Sequence, residues 1–289
     1  MGINNLQNND RKIVKQMGPF SVLEYIRDLS VSPYSAAQAY FMEKMGVRRR
    51  QVICSLNNSQ IMMQAGALQW LTGNIQIETG VKGAGDFLGK MVKGAVTKES
   101  GVKPIYRGSG IIALEPTYKY LIPINVAEWN GGVTIEDGMY LVSEGSVQLN
   151  VVSRKKVSSA VLGGEGLFNV SLAGTGCAVL ESNVPMEELI EINLENGELK
   201  IDGRQAVCWS TSLDFTVEKS TKSLIGSAVS NEGLLNVFRG TGKVLMSPVA
   251  PTESLVAATN TISSKAADPN SNVVNAAGIA GSFLGNMLK

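Results

Sequence analysis

The sequence predicts an all-β core made of three tandem β repeats, and three observations predict it. A Gly-Ser/Thr-Gly signature recurs at a fixed interval, period-2 apolar patterning precedes each copy, and glycine supplies 31 of 289 residues against a charged fraction of 18%. Abundant glycine with little charge describes a chain of many tight turns. An apolar fraction of 44% and a mean hydropathy of +0.07 suffice for a sizeable core and are too polar for a membrane bundle.

Residues 1–51 read as a helical N-terminal extension. Ser32 as N-cap, Pro33 in the first turn and Gly46 past the end predict a helix over Pro33–Met45, and Val22, Leu23, Tyr25, Ile26 and Leu29 predict another. The Asn-rich start carries Asp10 and lacks the apolar stretch of a signal peptide. Leu6 stands where a myristoylation motif needs Ser or Thr, and no run of about 18 apolar residues offers a membrane span. The expected location is cytoplasmic, peripheral to a membrane at most.

The repeats follow at 52–118, 119–183 and 184–249. Their signatures are Arg107-Gly108-Ser109-Gly110, Ala173-Gly174-Thr175-Gly176 and Arg239-Gly240-Thr241-Gly242, so the first glycines stand 66 residues apart. Upstream of each, Ile75 to Glu78, Val147 to Asn150 and Leu213 to Thr216 alternate apolar with polar, as a half-buried strand does. Ile122, Ile124 and Val126 open the second repeat in the same rhythm, as Ile190, Ile192 and Leu194 open the third. The first repeat carries an insertion before its Gly-x-Gly. A unit of a few short strands leaves edges and half a core exposed, so three units are expected to close about a pseudo-threefold axis as a barrel-like pseudo-trimer. Residues 250–272 read as a polar linker, and 273–289 as an amphipathic C-terminal segment.

The composition weakens most catalytic readings. The chain has no histidine, the side chain most used for acid–base work near neutral pH and the commonest metal ligand. Cys54, Cys177 and Cys208 lie in apolar runs without Cys-x-x-Cys spacing, which predicts reduced core thiols. The Gly-x-Gly turns lack the strand-then-helix setting of a phosphate loop and are expected to be turns or bulges. Ser153-Arg154-Lys155-Lys156 matches Ser-x-x-Lys without its partner motifs. No catalytic residue, metal site, cofactor or small-molecule substrate is indicated. A net charge of +1 leaves any nucleic-acid or membrane contact to a local patch.

One patch is visible. The stretch after each central strand is basic and apolar: Lys90 and Lys93 with Phe87, Leu88 and Met91; Arg154, Lys155 and Lys156; Lys219 and Lys222. Under threefold closure these gather at one end, and Arg48, Arg49 and Arg50 extend the patch or solvate a linker.

The segments Gln64 to Trp70, Gly163 to Phe168 and Asn236 to Gly242 resemble the altered inheritance of mitochondria protein family, over about Val52 to Pro248. The resemblance implies three repeats in a pseudo-trimer whose fold is similar to the trp RNA-binding attenuation protein, a shortened double-stranded β-helix. It brings no catalytic residues, and no ligand motif of the attenuation protein is present. The expected function is a non-enzymatic scaffold acting through a protein partner, self-association or a membrane surface. RNA binding by fold analogy and an enzyme of unknown class are the alternatives.

Overall fold

Period-2 patterning is strand in the structure, a computed structural model that describes residues 3–79, 103–153, 168–202, 205–219 and 234–249. Apart from Val249, these belong to the first of two units, 1–248, the second running from 249 to 289. The expected linker and C-terminal segment lie outside the described residues.

Two strands precede the expected repeats: β1 (Arg11–Met17) and β2 (Phe20–Tyr25). After the helix α1 (Ala36–Lys44) come β3 (Arg50–Met63), β4 (Leu68–Glu78) and β5 (Ile105–Leu114). The middle stretch forms β6 (Tyr120–Asn125), β7 (Val133–Ile135), β8 (Tyr140–Glu144), β9 (Val147–Ser153), β10 (Phe168–Gly174) and β11 (Cys177–Ser182). The last stretch forms β12 (Ile190–Asp202), β13 (Ala206–Ser210), β14 (Asp214–Lys219) and β15 (Leu234–Met246). One sheet runs β1-β2-β3-β8-β11-β6 with β5 and β4 attached to β3; the other runs β12-β15-β13-β7-β10-β9 with β14 on β15. Segment 119–183 is therefore divided, giving three strands to each sheet.

The ladders repeat. β3 pairs antiparallel with β5 and β12 with β15, each interrupted by a bulge facing the Gly-x-Gly: between Leu56 and Ser59, and between Leu194 and Gly197. Asn58 and Asn196 sit in those bulges at φ 47° and 50°. The Ser109 hydroxyl accepts the Asn58 N–H at 2.8 Å, and the Thr241 hydroxyl accepts the Asn196 N–H at 3.1 Å. The signature's hydroxyl satisfies the backbone donor that the bulge frees, and the flanking glycines let two strands approach. A Cβ on Gly108 would strike the Asn74 carbonyl oxygen. Gly108-Ser109-Gly110 and Gly240-Thr241-Gly242 lie within β5 and β15, whereas Gly174-Thr175-Gly176 spans the break between β10 and β11.

Adjacent segments are joined in one register. β8 meets β3 with Met62 opposite Ser143 and Met63 opposite Val142; β13 meets β7 with Thr134 opposite Trp209 and Ile135 opposite Cys208. Positions 66 apart share their burial, as with Tyr106, Leu172 and Phe238, and with Ile112, Ala178 and Val244. Val179 buries beside Val52, Cys54 and Met63 of the first segment, and Leu245 beside Val133, Ile135 and Leu172 of the second. Among the described residues no ladder links the third segment to the first. There, Trp209, Phe215 and Phe238 stack with ring centroids 5.0–5.2 Å apart and fill the last core from its own strands.

The N-terminal extension departs from expectation. Residues 20–25 are strand β2, not helix, pairing with β3 from Phe20 opposite Cys54 to Glu24 opposite Arg50. Phe20 and Val22 enter one core while Leu23 enters another with Ile53 and Ala113. A strand covered on both faces shows a continuous apolar run, whose spacing also fits a helix. The other helix is real but starts at Ala36, after a turn over residues 33–35.

Candidate functional site

Between β2 and β3 the chain leaves the sheet at Ile26 and returns at Arg49. The neck is closed by the sheet itself: the Tyr25 N–H donates to the Arg49 carbonyl at 2.9 Å, and the Ile26 N–H to the Asp10 carbonyl at 2.8 Å. Within this projection α1 ends as its sequence dictates. Gly46 adopts φ 75°, its N–H donates to the Glu43 carbonyl at 3.0 Å, and the Val47 N–H reaches the Met42 carbonyl at 2.8 Å. That pair of bonds is a Schellman cap, which glycine permits at no steric cost.

The three arginines, expected to extend a basic patch or to solvate a linker, have another task. Glu24 takes Arg48 at 3.0 Å on one carboxylate oxygen and Arg50 at 2.8 Å on the other. Arg49 pairs with Asp28 at 3.0 Å and donates to the Tyr118 hydroxyl at 3.3 Å, while Arg27 pairs with Asp10 at 2.9 Å. The Arg50 guanidinium, its side chain only 8% exposed, also lies 4.1 Å from the centroid of the Tyr120 ring. Hydrogen bonding to Tyr118 and to Asp10 raises the pKa of Arg49 and Arg27 respectively. These pairs staple the projection to the sheet, so Arg48, Arg49 and Arg50 are paired cations and do not form a free patch. Beside them lies a cleft of about 170 Å³, lined by Tyr25, Leu29, Val31, Tyr40, Met42 and Tyr118 among others.

Much of what the projection offers solvent is apolar, beside exposed Arg27, Gln38 and Lys44. No residue of α1 is buried. Tyr34 is fully exposed, Met45 is 79% exposed, and Leu29, Tyr40, Phe41 and Val47 are also exposed. Tyr40 and Phe41 meet edge to face at 5.6 Å. Large apolar residues gathered on one held element make it a candidate site. The sequence carried a signal for this: Ala36, Ala37, Ala39, Tyr40, Phe41 and Met42 surround the helix without leaving one polar face, so no single packing surface can bury them.

The basic and apolar residues singled out from sequence lie elsewhere. Lys90, Lys93, Phe87, Leu88, Met91, Arg154, Lys155, Lys156 and Lys222 lie outside the described residues, as does the Lys219 side chain. The strands that flank each stretch are antiparallel neighbours: Glu78 lies opposite Ile105, Ser153 opposite Phe168, and Lys219 opposite Leu234. Among the described residues, no group of three or more His, Cys, Asp or Glu could hold a metal. Cys54 and Cys208 are buried and Cys177 partly so, all unpaired. Burial pushes the Cys208 thiol up to about 12 and that of Cys177 up to about 11, with Glu144 adding to the second, and raises Cys54 as well. No helix among the described residues is long and apolar enough to cross a membrane.

The described residues form an all-β body that carries a stapled, largely apolar projection. The chain belongs to the mitochondrial biogenesis AIM24 family, whose model matches residues 42–249, in agreement with the resemblance carried by Gln64 to Trp70 and Asn236 to Gly242. Over 196 residues it is 28% identical to an uncharacterised protein of Streptococcus pyogenes serotype M6, a match covering 65% of this chain and 76% of that one. It shares its fold with a Streptococcus pyogenes protein solved by X-ray crystallography, at a TM-score of 0.55 and 23% identity, covering 74% of this chain and 94% of that one. The family match starts at Met42, so β1, β2 and most of the projection precede it.

Proposed function

We propose that this protein is a non-catalytic β scaffold that docks a protein partner on the projection at residues 26–49. The observation that carries the reading is the solvent exposure of Tyr34, Phe41 and Met45 on an element whose neck is held by ion pairs and backbone hydrogen bonds. Tyr, Phe, Met and Arg are the residues enriched where protein interfaces are buried. A lipid surface is less well served, because the arginines nearby already have carboxylate partners. The recurring ladders and burial positions support reading 52–118, 119–183 and 184–249 as copies of one unit, in the shortened double-stranded β-helix that the resemblance implies. The basic stretches between paired strands, with Lys90, Arg154 and Lys222 among them, are a second contact region in this proposal.

A photo-crosslinking residue at position 41, in the native cell, tests it. The expected result is one discrete protein adduct, abolished by Met45→Asp and unaffected by a change at exposed Glu195. Absence of an adduct, or adduct formation indifferent to Met45→Asp, refutes the reading. Flotation with anionic vesicles that depends on Phe41 transfers the site to a membrane.

A further inference from the structure

The joints between the segments show how one edge of this molecule is completed. At the first, the end of β3 (Ile61 to Met63) pairs with β8 of the next segment, and at the second β7 pairs with β13, in the same register once the insertion in the first repeat is counted. Shifting the second joint by the 66-residue interval puts Lys200 and Ile201 of β12 in the place of Thr134 and Ile135. Their partners, two intervals back from Trp209 and Cys208 and six residues further for the insertion in the first repeat, are Leu71 and Trp70 of β4, the strand equivalent to β8 and β13. Yet among the described strands β12 pairs only with β15, and β4 only with β5. The chain thus carries both halves of a third joint, which do not meet.

We propose that the third joint forms between two copies of this chain, β12 of one adding to β4 of the next, with Ile201 opposite Trp70 and Lys200 opposite Leu71. Three observations select this occupant. The register is that of two interfaces the chain already makes with itself. From Leu68 to Ile77, β4 carries no charged residue and no proline, the usual devices by which an edge strand refuses partners. An alternative in which β12 meets β12 of a second copy in parallel register would set Glu191, Glu195 and Glu198 against themselves, a like-charge pairing that opposes association.

The joint is weaker than those within the chain, for a visible reason. In the intrachain joints the ladder is accompanied by burial of Val179 or Leu245 against the preceding segment. Ala113, their counterpart, already packs in a cluster with Ile53 and Leu23, to which Leu6, Ile13, Tyr25 and Trp70 contribute. The N-terminal hairpin occupies the face that a neighbour would cover, leaving mainly the backbone edge for contact. A head-to-tail contact of this kind is heterologous and yields rings or open chains of copies.

The test mixes two full-length variants, Lys200→Cys and Leu71→Cys, under mild oxidation. A disulfide between them can form only between chains, and the expected product is the mixed dimer, in several-fold excess over either variant oxidised alone. A dimer from Leu71→Cys alone as abundant as the mixed one means that β4 pairs with β4, and overturns the proposal. So does a double variant that closes its disulfide within one chain while the mixture gives none, because the third joint is then internal. Since Leu71 packs against the core, sedimentation of the unsubstituted chain is the second measurement. Its mass average should rise with concentration, and a monomer at every concentration overturns the proposal.

Discussion

Replacing Phe238 with alanine should cost the protein about 3–5 kcal/mol, the range for emptying a fully buried aromatic site. Phe238 is 0% exposed and packs edge to face on Trp209 at 5.2 Å and against Phe215 at 5.0 Å. The core it fills is lined by the strands of its own segment, with Ile201, Leu213 and Val244 as further neighbours. Partly buried Met246, packed against the same cluster, is the neighbour able to move into the space, so the middle of the range is expected. With an m-value of about 3 kcal/mol per M, the urea midpoint should fall by about 1–2 M. Exposed Phe41→Ala is the control and should stay within about 0.5 kcal/mol. Leu172→Ala, 66 residues earlier and equally buried, should fall in the same range as Phe238→Ala. If Phe238→Ala moves the midpoint no further than Phe41→Ala, the last core is not packed as described.

Three further outcomes are expected. Arg50→Ala removes a nearly buried cation from Glu24 and from the Tyr120 ring, and should cost about 3 kcal/mol while hastening protease cleavage within 26–49. Gly108→Ala drives a methyl into the Asn74 carbonyl and should cost about 1–3 kcal/mol by thermal melting, whereas Gly138→Ala, with nothing near its Cβ, should cost no more than about 1–2. The raised thiol pKa values fix a sign: the unfolded chain releases thiol protons from about pH 8.5, while the folded chain retains them toward pH 11 to 12. Stability is therefore unaffected by the thiols below about pH 8.5 and falls as pH climbs above it. Urea midpoints at pH 7 and pH 10, with and without the three cysteines replaced by serine or alanine, measure the difference, and native alkylation at pH 8 should be slow at Cys54 and Cys208.

Much of the strand content was legible because these strands are half-exposed and alternate cleanly, as Val147 to Asn150 and Ile190 to Glu195 do. The end of α1 was legible because only glycine takes the φ that Gly46 needs without strain. β2 was misread because neither of its faces is polar, and the partner that makes it a strand, Arg50 to Cys54, lies some thirty residues away. The candidate surface was harder still. Arg48, Arg49 and Arg50 look like a free cationic run until Glu24 and Asp28 are brought against them, and charge pairing across a folded neck leaves no mark on local composition. Exposure of Phe41 and Met45 is likewise a statement about what does not pack on them, which periodicity can hint at but does not specify.

The division of 119–183 between the two sheets bears on how the chain acquires its structure during synthesis. Once residues up to 182 have emerged from the ribosome and before residues 183 to 246 have, β8, β11 and β6 can already join the N-terminal sheet, yet β7, β9 and β10 still lack β13 and β15. For that interval half of the middle segment is native and half is an unfinished edge, the stage at which a nascent chain is most open to wrong partners. Slowing translation while residues 183 to 246 are still emerging should therefore lower soluble yield more than slowing it once they have all emerged and β15 can complete the second sheet.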